Sequence, residues 1–333
     1  MPRWSNCGLS AFWLLTVMVW APQQGAFSAD CREPENCPVS GQPLNRAKST
    51  IVEFETSPFP YDGMVPEKDV PFLDLTVGYR KAHRTPRGRV LWEDTTFNDR
   101  RVLLHIPKGY DFTRPGVLVV FFHGHGAILR RDVRDRQLVP AQVSAAGINA
   151  VLVAPQFAFN ASDSSAGKFW EPGAFKRFVA EAGEKLAVLH GNPASANSFA
   201  TMPVVIVAYS GGYLATAWCL EVGGVEGRLG GVVLLDALYG ELDKFAAWIG
   251  NNRTKFFVSS FSDSSLAKNI AFKAMLAEHE IPTSVSLNQG KWRQGVTFLA
   301  TDSEIKHEDF VTQAWVEFPI TDILRRLDEY KRK

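Results

Sequence analysis

The sequence predicts an α/β fold, a mostly parallel sheet with helices on both faces. Three observations carry that prediction. From residue 116 onward, short apolar runs rich in β-branched residues alternate with stretches of helical periodicity. Two of the runs, VLVVFF (117–122) and VVIV (204–207), are apolar throughout, as strands buried on both faces are. Polar residues able to do chemistry stand directly after these runs, where open α/β sheets carry their sites.

Taken in order, residues 30–75 are rich in Pro, Ser, Glu and Asn and read as an extended lead-in. A single domain is expected over 76–333. RVLWEDTTF (89–97) and RRVLLHIPKGY (100–110), separated by Asn98-Asp99, read as an antiparallel hairpin. GVLVVFF then forms a buried strand ending in the glycine turn His123-Gly124-His125-Gly126. INAVLVAPQF (148–157) is the next strand, and PGAFKRFVAEAGEKLAVLH (172–190) an amphipathic helix. VVIVAYS leads into a helix from Tyr213. GGVVLLDALYG (230–240) is followed by a short helix around DKFAAWIG (243–250). KFFVSSFSD (255–263) precedes a helix over 265–280. VTFLAT (296–301) is the last strand, and 309–327 a closing helix.

Composition narrows the function classes. The 333 residues suffice for one large α/β domain or two small ones, and 46% hydrophobic with 21% charged residues is ordinary for a globular protein. With 36 basic against 35 acidic residues the formal charge is +1, without the concentrated basic surface that nucleic acid or an anionic membrane demands.

Residues 1–29 read as a signal peptide: Arg3 for the positive end, an apolar stretch over 8–21, and a cleavage site near Ser28 or Ala29. That stretch is shorter than the roughly 20 residues a spanning helix needs. The expected location is secreted or periplasmic, with no stable membrane insertion once the signal is removed. Cys31 and Cys37 bracket a five-residue loop, the spacing of a small disulfide in an oxidising compartment. Cys219, within the helix after Ser210, reads as a buried apolar side chain.

The candidate site follows from the strand ends. Ser210 follows VVIVAY, Asp236 follows GVVLL, Asp263 follows FFVSSFS, and His307 comes six residues after VTFLAT. A serine hydroxyl is a weak nucleophile until a base takes its proton; a histidine can do so, and a buried carboxylate fixes its tautomer. The order nucleophile, acid, histidine is that of hydrolases built on this topology. Ala208, Gly211 and Gly212 supply the small neighbours that a sharp strand-to-helix turn requires. The Gly211 N–H and one from the 124–126 turn, taken to be that of His125, are expected to form an oxyanion hole.

On these residues the sequence resembles the α/β-hydrolase superfamily over roughly 90–330, most strongly in A-Y-S-G-G, the H-G-H-G turn and the terminal histidine loop. The elbow has Ala208 where the G-x-S-x-G pattern has its first glycine, a change that smallness permits. It also looks like a secreted subgroup carrying L-L-D-A-L-Y-G, here Leu234 to Gly240. The resemblance implies an α/β-hydrolase fold and a serine hydrolase acting through an acyl-enzyme.

Each residue also has an ordinary structural role to weigh. Ser210 at a helix start could act as a cap. Asp263, in SFSDSS, could equally cap the helix that follows it. Asp236 runs from an apolar strand into Ala237-Leu238, a setting that buries its carboxylate and obliges it to find a partner, so Asp236 is the preferred acid and Asp263 the alternative. Glu304 and Asp302 read as solvated loop carboxylates, His105 as structural, and His279 as a helix-end residue. His123-x-His125 is also a metal-ligand pattern, though without a third and fourth ligand nearby. Tyr209, Phe157 and Trp170, with Phe159 and Phe169, either wall a substrate pocket or pack the top of the core.

The expected activity is cleavage of an acyl bond, by default a carboxylic ester in a small-molecule or polymeric substrate, with no cofactor. Amide cleavage or acyl transfer on the same triad, and a ligand-binding protein on a hydrolase scaffold, remain as alternatives.

Overall fold

The computed structural model describes residues 42–288 and 294–332, all within one compact unit, Val39–Lys333. Fourteen strands are present among them: β1 Lys48–Glu53, β2 Met64–Val65, β3 Val70–Pro71, β4 Leu75–Val77, β5 Arg80–Arg84, β6 Val90–Trp92, β7 Arg101–Ile106, β8 Val117–Phe122, β9 Ala150–Pro155, β10 Val204–Tyr209, β11 Leu229–Leu235, β12 Phe256–Phe261, β13 Thr283–Ser284 and β14 Gly295–Ala300. Nine build the central sheet in the order β1-β7-β9-β8-β10-β11-β12-β14-β13. β7 runs antiparallel to both its neighbours, and every other pairing is parallel. The chain goes from β8 out to β9 and returns to β10 on the other side of β8, which opens a crevice at the carboxyl ends of β8 and β10. This is an α/β-hydrolase fold, as expected.

Helices cover both faces, and the side-chain alternation of the strands says why. Leu118, Val120 and Phe122 of β8 with Val204, Ile206 and Ala208 of β10 face one buried cluster. That cluster takes in helices α3 (Ala174–His190), α4 (Ala196–Thr201), α5 (Tyr213–Val222), α6 (Leu242–Asn251) and α7 (Leu266–Glu278). Val117, Val119 and Phe121 with Val205 and Val207 face the other, against a π-helix (Leu129–Arg136), α2 (Val139–Ala145) and α8 (Pro319–Arg325). Cys219 is buried in the first cluster, and burial pushes its thiol pKa up. No helix among the described residues is long and apolar enough to cross a membrane.

Three expectations are corrected. RVLW and RRVLLHI do not pair: β6 pairs with β5, a four-residue helix α1 (Glu93–Thr96) intervenes, and β7 lies between β1 and β9. Asp99, expected in a turn, instead accepts the Arg101 N–H (3.0 Å) and clamps the Arg101 guanidinium. The stretch 42–75 is built into the domain: β1 is an edge strand of the sheet, and Phe54, Phe59 and Phe72 are fully buried. Burying each such ring is worth roughly 1.5–3 kcal/mol, enough to fix a segment whose Pro and Ser content reads as extended. The closing helix spans only Pro319–Arg325. Pro319 lacks an N–H and disfavours helical geometry at the residue before it; Phe318 accordingly lies at φ 58°, ending any helix that runs in from 309. The N-terminal signal, its cleavage site and Cys31–Cys37 lie outside the described residues.

Candidate active site

Ser210 stands at the tip of the turn from β10 to α5, with φ 52°, in the left-handed region. Such a conformation is strained for a side-chain-bearing residue and holds only where packing over-determines it. Here the packing is tight on every side. A Cβ on Gly212 meets the Phe122 carbonyl oxygen at 2.6 Å, and one on Gly124 meets Ser210 Cβ at 2.7 Å. Both positions therefore need glycine, and together they press the 123–126 turn against the elbow. Ser210 itself is 7% exposed.

His307 opens the 3-10 turn His307–Asp309 in the loop after β14. Its Nε2 lies 2.8 Å from Ser210 Oγ and its Nδ1 2.6 Å from Asp236 Oδ2. Tyr209, buried beside Ser210, stacks on the imidazole (centroids 5.1 Å apart) and its hydroxyl donates to the His307 carbonyl at 2.9 Å. Tyr209 thus orients the histidine; its hydroxyl is taken up within the protein.

Asp236, directly after β11, is fully buried, with φ 43°. Its carboxylate accepts the Ser262 N–H at 3.1 Å and the hydroxyls of Ser262 (2.7 Å), Ser264 (2.8 Å) and Ser265. Burial pushes its pKa up, but the hydrogen bonds from His307, Ser265 and Ser262 more than reverse this and hold it well below the usual carboxylate range. An ionised Asp236 only accepts, so Nδ1 carries the imidazole proton and Nε2 presents its lone pair to the Ser210 hydroxyl. Tyr239 backs these donors: its hydroxyl donates to Ser264 Oγ at 2.7 Å, whose own hydrogen goes to Asp236. Burial raises the Tyr239 pKa to about 12, so it stays a donor.

Asp263 is exposed on the surface beside these serines. The end of β12, which offered an alternative acid, supplies donors to Asp236 in its place. The signal for that role, a serine-rich SFSDSS run beside a strand end, was present but not specific.

The first N–H groups of a helix have no intrahelical partner, and Gly211 occupies that position ahead of α5. In the facing turn the Gly126 N–H is spent on the Ala161 carbonyl (2.8 Å), which pins the turn and removes that group as a donor to the site. The His123 ring is fully engaged: Nδ1–H donates to the Gly124 carbonyl (2.8 Å), and Nε2 accepts the Phe157 N–H (2.9 Å). It has no ring nitrogen left for a metal. The His125 ring bonds Ser164 Oγ at 2.6 Å.

Phe157 and Trp170 do not wall a pocket. Phe157 packs edge-on against Phe122 and Phe169, and Trp170 against Tyr61 and Phe72, all inside the core. The reason is the inward course of 155–170 over the lead-in aromatics, contacts distant in sequence.

Fold and site together describe an α/β-hydrolase-fold chain with a hydrogen-bonded Ser-His-Asp group at its strand ends. No protein-family model matches the sequence, and no curated protein matches it either. Among solved structures, the chain is similar to an S-formylglutathione hydrolase from Agrobacterium tumefaciens, with 11% identity, 89% of this chain and 99% of that one covered, and a TM-score of 0.48. A feruloyl esterase module from Clostridium thermocellum has 14% identity over 83% and 96%, TM-score 0.43. An IroE-like serine hydrolase from Shewanella oneidensis has 13% identity over 74% and 79%, TM-score 0.38. The fold assignment rests on the strand order above, and the reading of the site on its own geometry.

Proposed function

We propose that this protein is a serine hydrolase that cleaves carboxylic esters through an acyl-enzyme on Ser210. The observation that carries the reading is the continuous hydrogen-bonded chain from Ser210 Oγ through His307 to a buried, ionised Asp236. In this reading His307 Nε2 takes the Ser210 proton as Oγ attacks the acyl carbon. The N–H groups of Gly211 and His125 stabilise the negative oxygen of the tetrahedral intermediate. The intermediate collapses, the alcohol leaves with the proton held on Nε2, and a water activated by the same nitrogen releases the acid. Asp236 holds the imidazole in the required tautomer and stabilises the imidazolium. The substrate is a small-molecule or polymeric acyl compound, and the N-terminal 29 residues direct the chain to a secreted or periplasmic location.

The test is labelling of the purified mature protein with a small fluorophosphonate, the adduct mapped by mass spectrometry, beside Ser210→Ala and His307→Ala. Labelling at Ser210 lost in both variants is expected. A folded protein that takes no label sinks the serine mechanism. A panel of esters and amides, with alcohols added as competing acceptors, then separates ester hydrolysis from amide cleavage and acyl transfer.

A further inference from the structure

At the amino ends of β12 and β14, the opposite end of the parallel strands from Ser210, lies a hollow of about 250 Å³. Phe257 and Val296, paired across the two strands, and Ile281, just past α7, give it apolar walls. Trp248, near the end of α6, adds an indole, and Arg253 and Lys255, in the loop entering β12, add two cations. No carboxylate is among its described lining residues.

These polar groups have protons to give and no acceptor for them. Trp248 is 5% exposed, and its Nε1–H is buried without a hydrogen-bond partner among the described residues. Unpaired buried donors are rare in native structures, because folding strips them of water and returns nothing. Arg253 spends only its Nε–H, on the Gly250 carbonyl at 3.3 Å, and neither it nor Lys255 joins an ion pair among the described residues. The frame around them is fixed. Asn252 Nδ2 donates to the Trp248 carbonyl (2.9 Å), and the Gly295 N–H to the Lys255 carbonyl (2.9 Å).

Indole, guanidinium and ammonium groups donate and do not accept, so together they match a negatively charged acceptor. The apolar walls match a hydrocarbon body attached to it. A cavity of 150 Å³ takes a benzene, so this hollow takes a ligand of roughly ten heavy atoms. We infer that the hollow is a binding site for a small organic carboxylate, its charge held by the Trp248 N–H, Arg253 and Lys255 and its body by Phe257, Ile281 and Val296. An inorganic anion would leave the walls uncovered, and an uncharged aromatic would use neither cation. The inference does not rest on the esterase reading.

The probe is phenylacetate, titrated into the ¹⁵N-labelled mature protein, with affinity read by calorimetry and the indole N–H signals by NMR. Saturable binding with a Kd of about 1 mM or tighter is expected. The indole signal that is missing from Trp248→Phe is expected to move as the site fills. Arg253→Ala combined with Lys255→Ala is expected to weaken binding about 10-fold or more, with an unchanged melting temperature showing that the variant is folded. Uncharged 2-phenylethanol is expected to bind the wild type about 10-fold more weakly or worse, a comparison that needs no variant. The absence of saturable binding, equal affinity in the double variant, equal affinity for the alcohol, or an unmoved Trp248 signal overturns the inference. Fluorophosphonate labelling of Ser210 is read separately, so failure there leaves this site standing, and failure here leaves the esterase reading standing.

Discussion

The Asp236 carboxylate is tolerable in full burial only because hydroxyl, amide and imidazole donors converge on it. Asp236→Asn keeps the shape but reverses the hydrogen bond to Nδ1, which puts the imidazole in the wrong tautomer. The expected result is a fall in kcat of about 10⁴-fold at neutral pH. Asp263→Asn, a surface change, is expected to stay within about twofold, since such substitutions usually move energies by about 0.5 kcal/mol or less. If Asp263→Asn is the crippled variant, the acid is wrongly assigned. Tyr209→Phe removes one hydrogen bond to the His307 carbonyl, a loss of about 1 kcal/mol, and should lower kcat some fivefold with KM unchanged. Steady-state kinetics on one activated ester checks all three. Ser210 and Gly211 were legible in the sequence because a sharp strand-to-helix turn needs small residues at fixed spacing, and His307 because it follows the last strand. The converging serines were not, because a serine near a strand end carries no directional information.

The elbow is the element on which the site depends. Its sharpness rests on contacts between the start of α5 and the end of β8, residues that meet only through the sheet. Gly212→Ala drives a methyl into the Phe122 carbonyl. Overpacking of this kind costs about 1–3 kcal/mol, so melting should occur several degrees lower. Gly227→Ala, with open space around its Cβ position, is the matched control and should melt with the wild type. Calorimetry on the pair decides it; equal melting temperatures for all three proteins would refute the contact. Strands β8 to β12 and helices α3, α5 and α6 between them were legible from long apolar runs and helical periodicity, whereas α2 and the π-helix before it were not. The 89–110 hairpin misled because Asn-Asp is a turn signal locally, whereas the pairing partner of β7 is chosen by what can cover a buried strand on both edges.

For the whole molecule, acid stability is set by histidines kept neutral inside it. Burial lowers the pKa of His105 and His123 to about 4. Between the unfolded value of about 6.5 and 4, the unfolded chain binds protons that the folded one refuses. Stability therefore falls as pH drops through that window, by up to about 1.4 kcal/mol per pH unit for each group. Asp236, held low in the folded state, extends the loss below pH 4, because its stabilisation disappears as the carboxylate is protonated. Denaturant midpoints measured between pH 7 and pH 4 should decline steadily. His105→Gln, which removes one titrating group bonded to Ser49 and Ser144, should flatten the slope. A midpoint independent of pH over that range would contradict the buried, neutral state.

The sequence alone determined the sheet's parallel core, the elbow at Ser210 and the chain order serine, aspartate, histidine at the strand ends. These are local properties: periodicity, residue size at a turn, and position after an apolar run. The tertiary structure decided that Asp236 and not Asp263 faces His307, that Phe157 and Trp170 belong to the core, that β1 joins the sheet, and that His125 and Ser164 stand over Gly211. Each of those depends on which way a side chain points from a strand end or loop and on what lies opposite it. The opposing residue is commonly dozens of positions away in the chain, where spacing carries no trace of it.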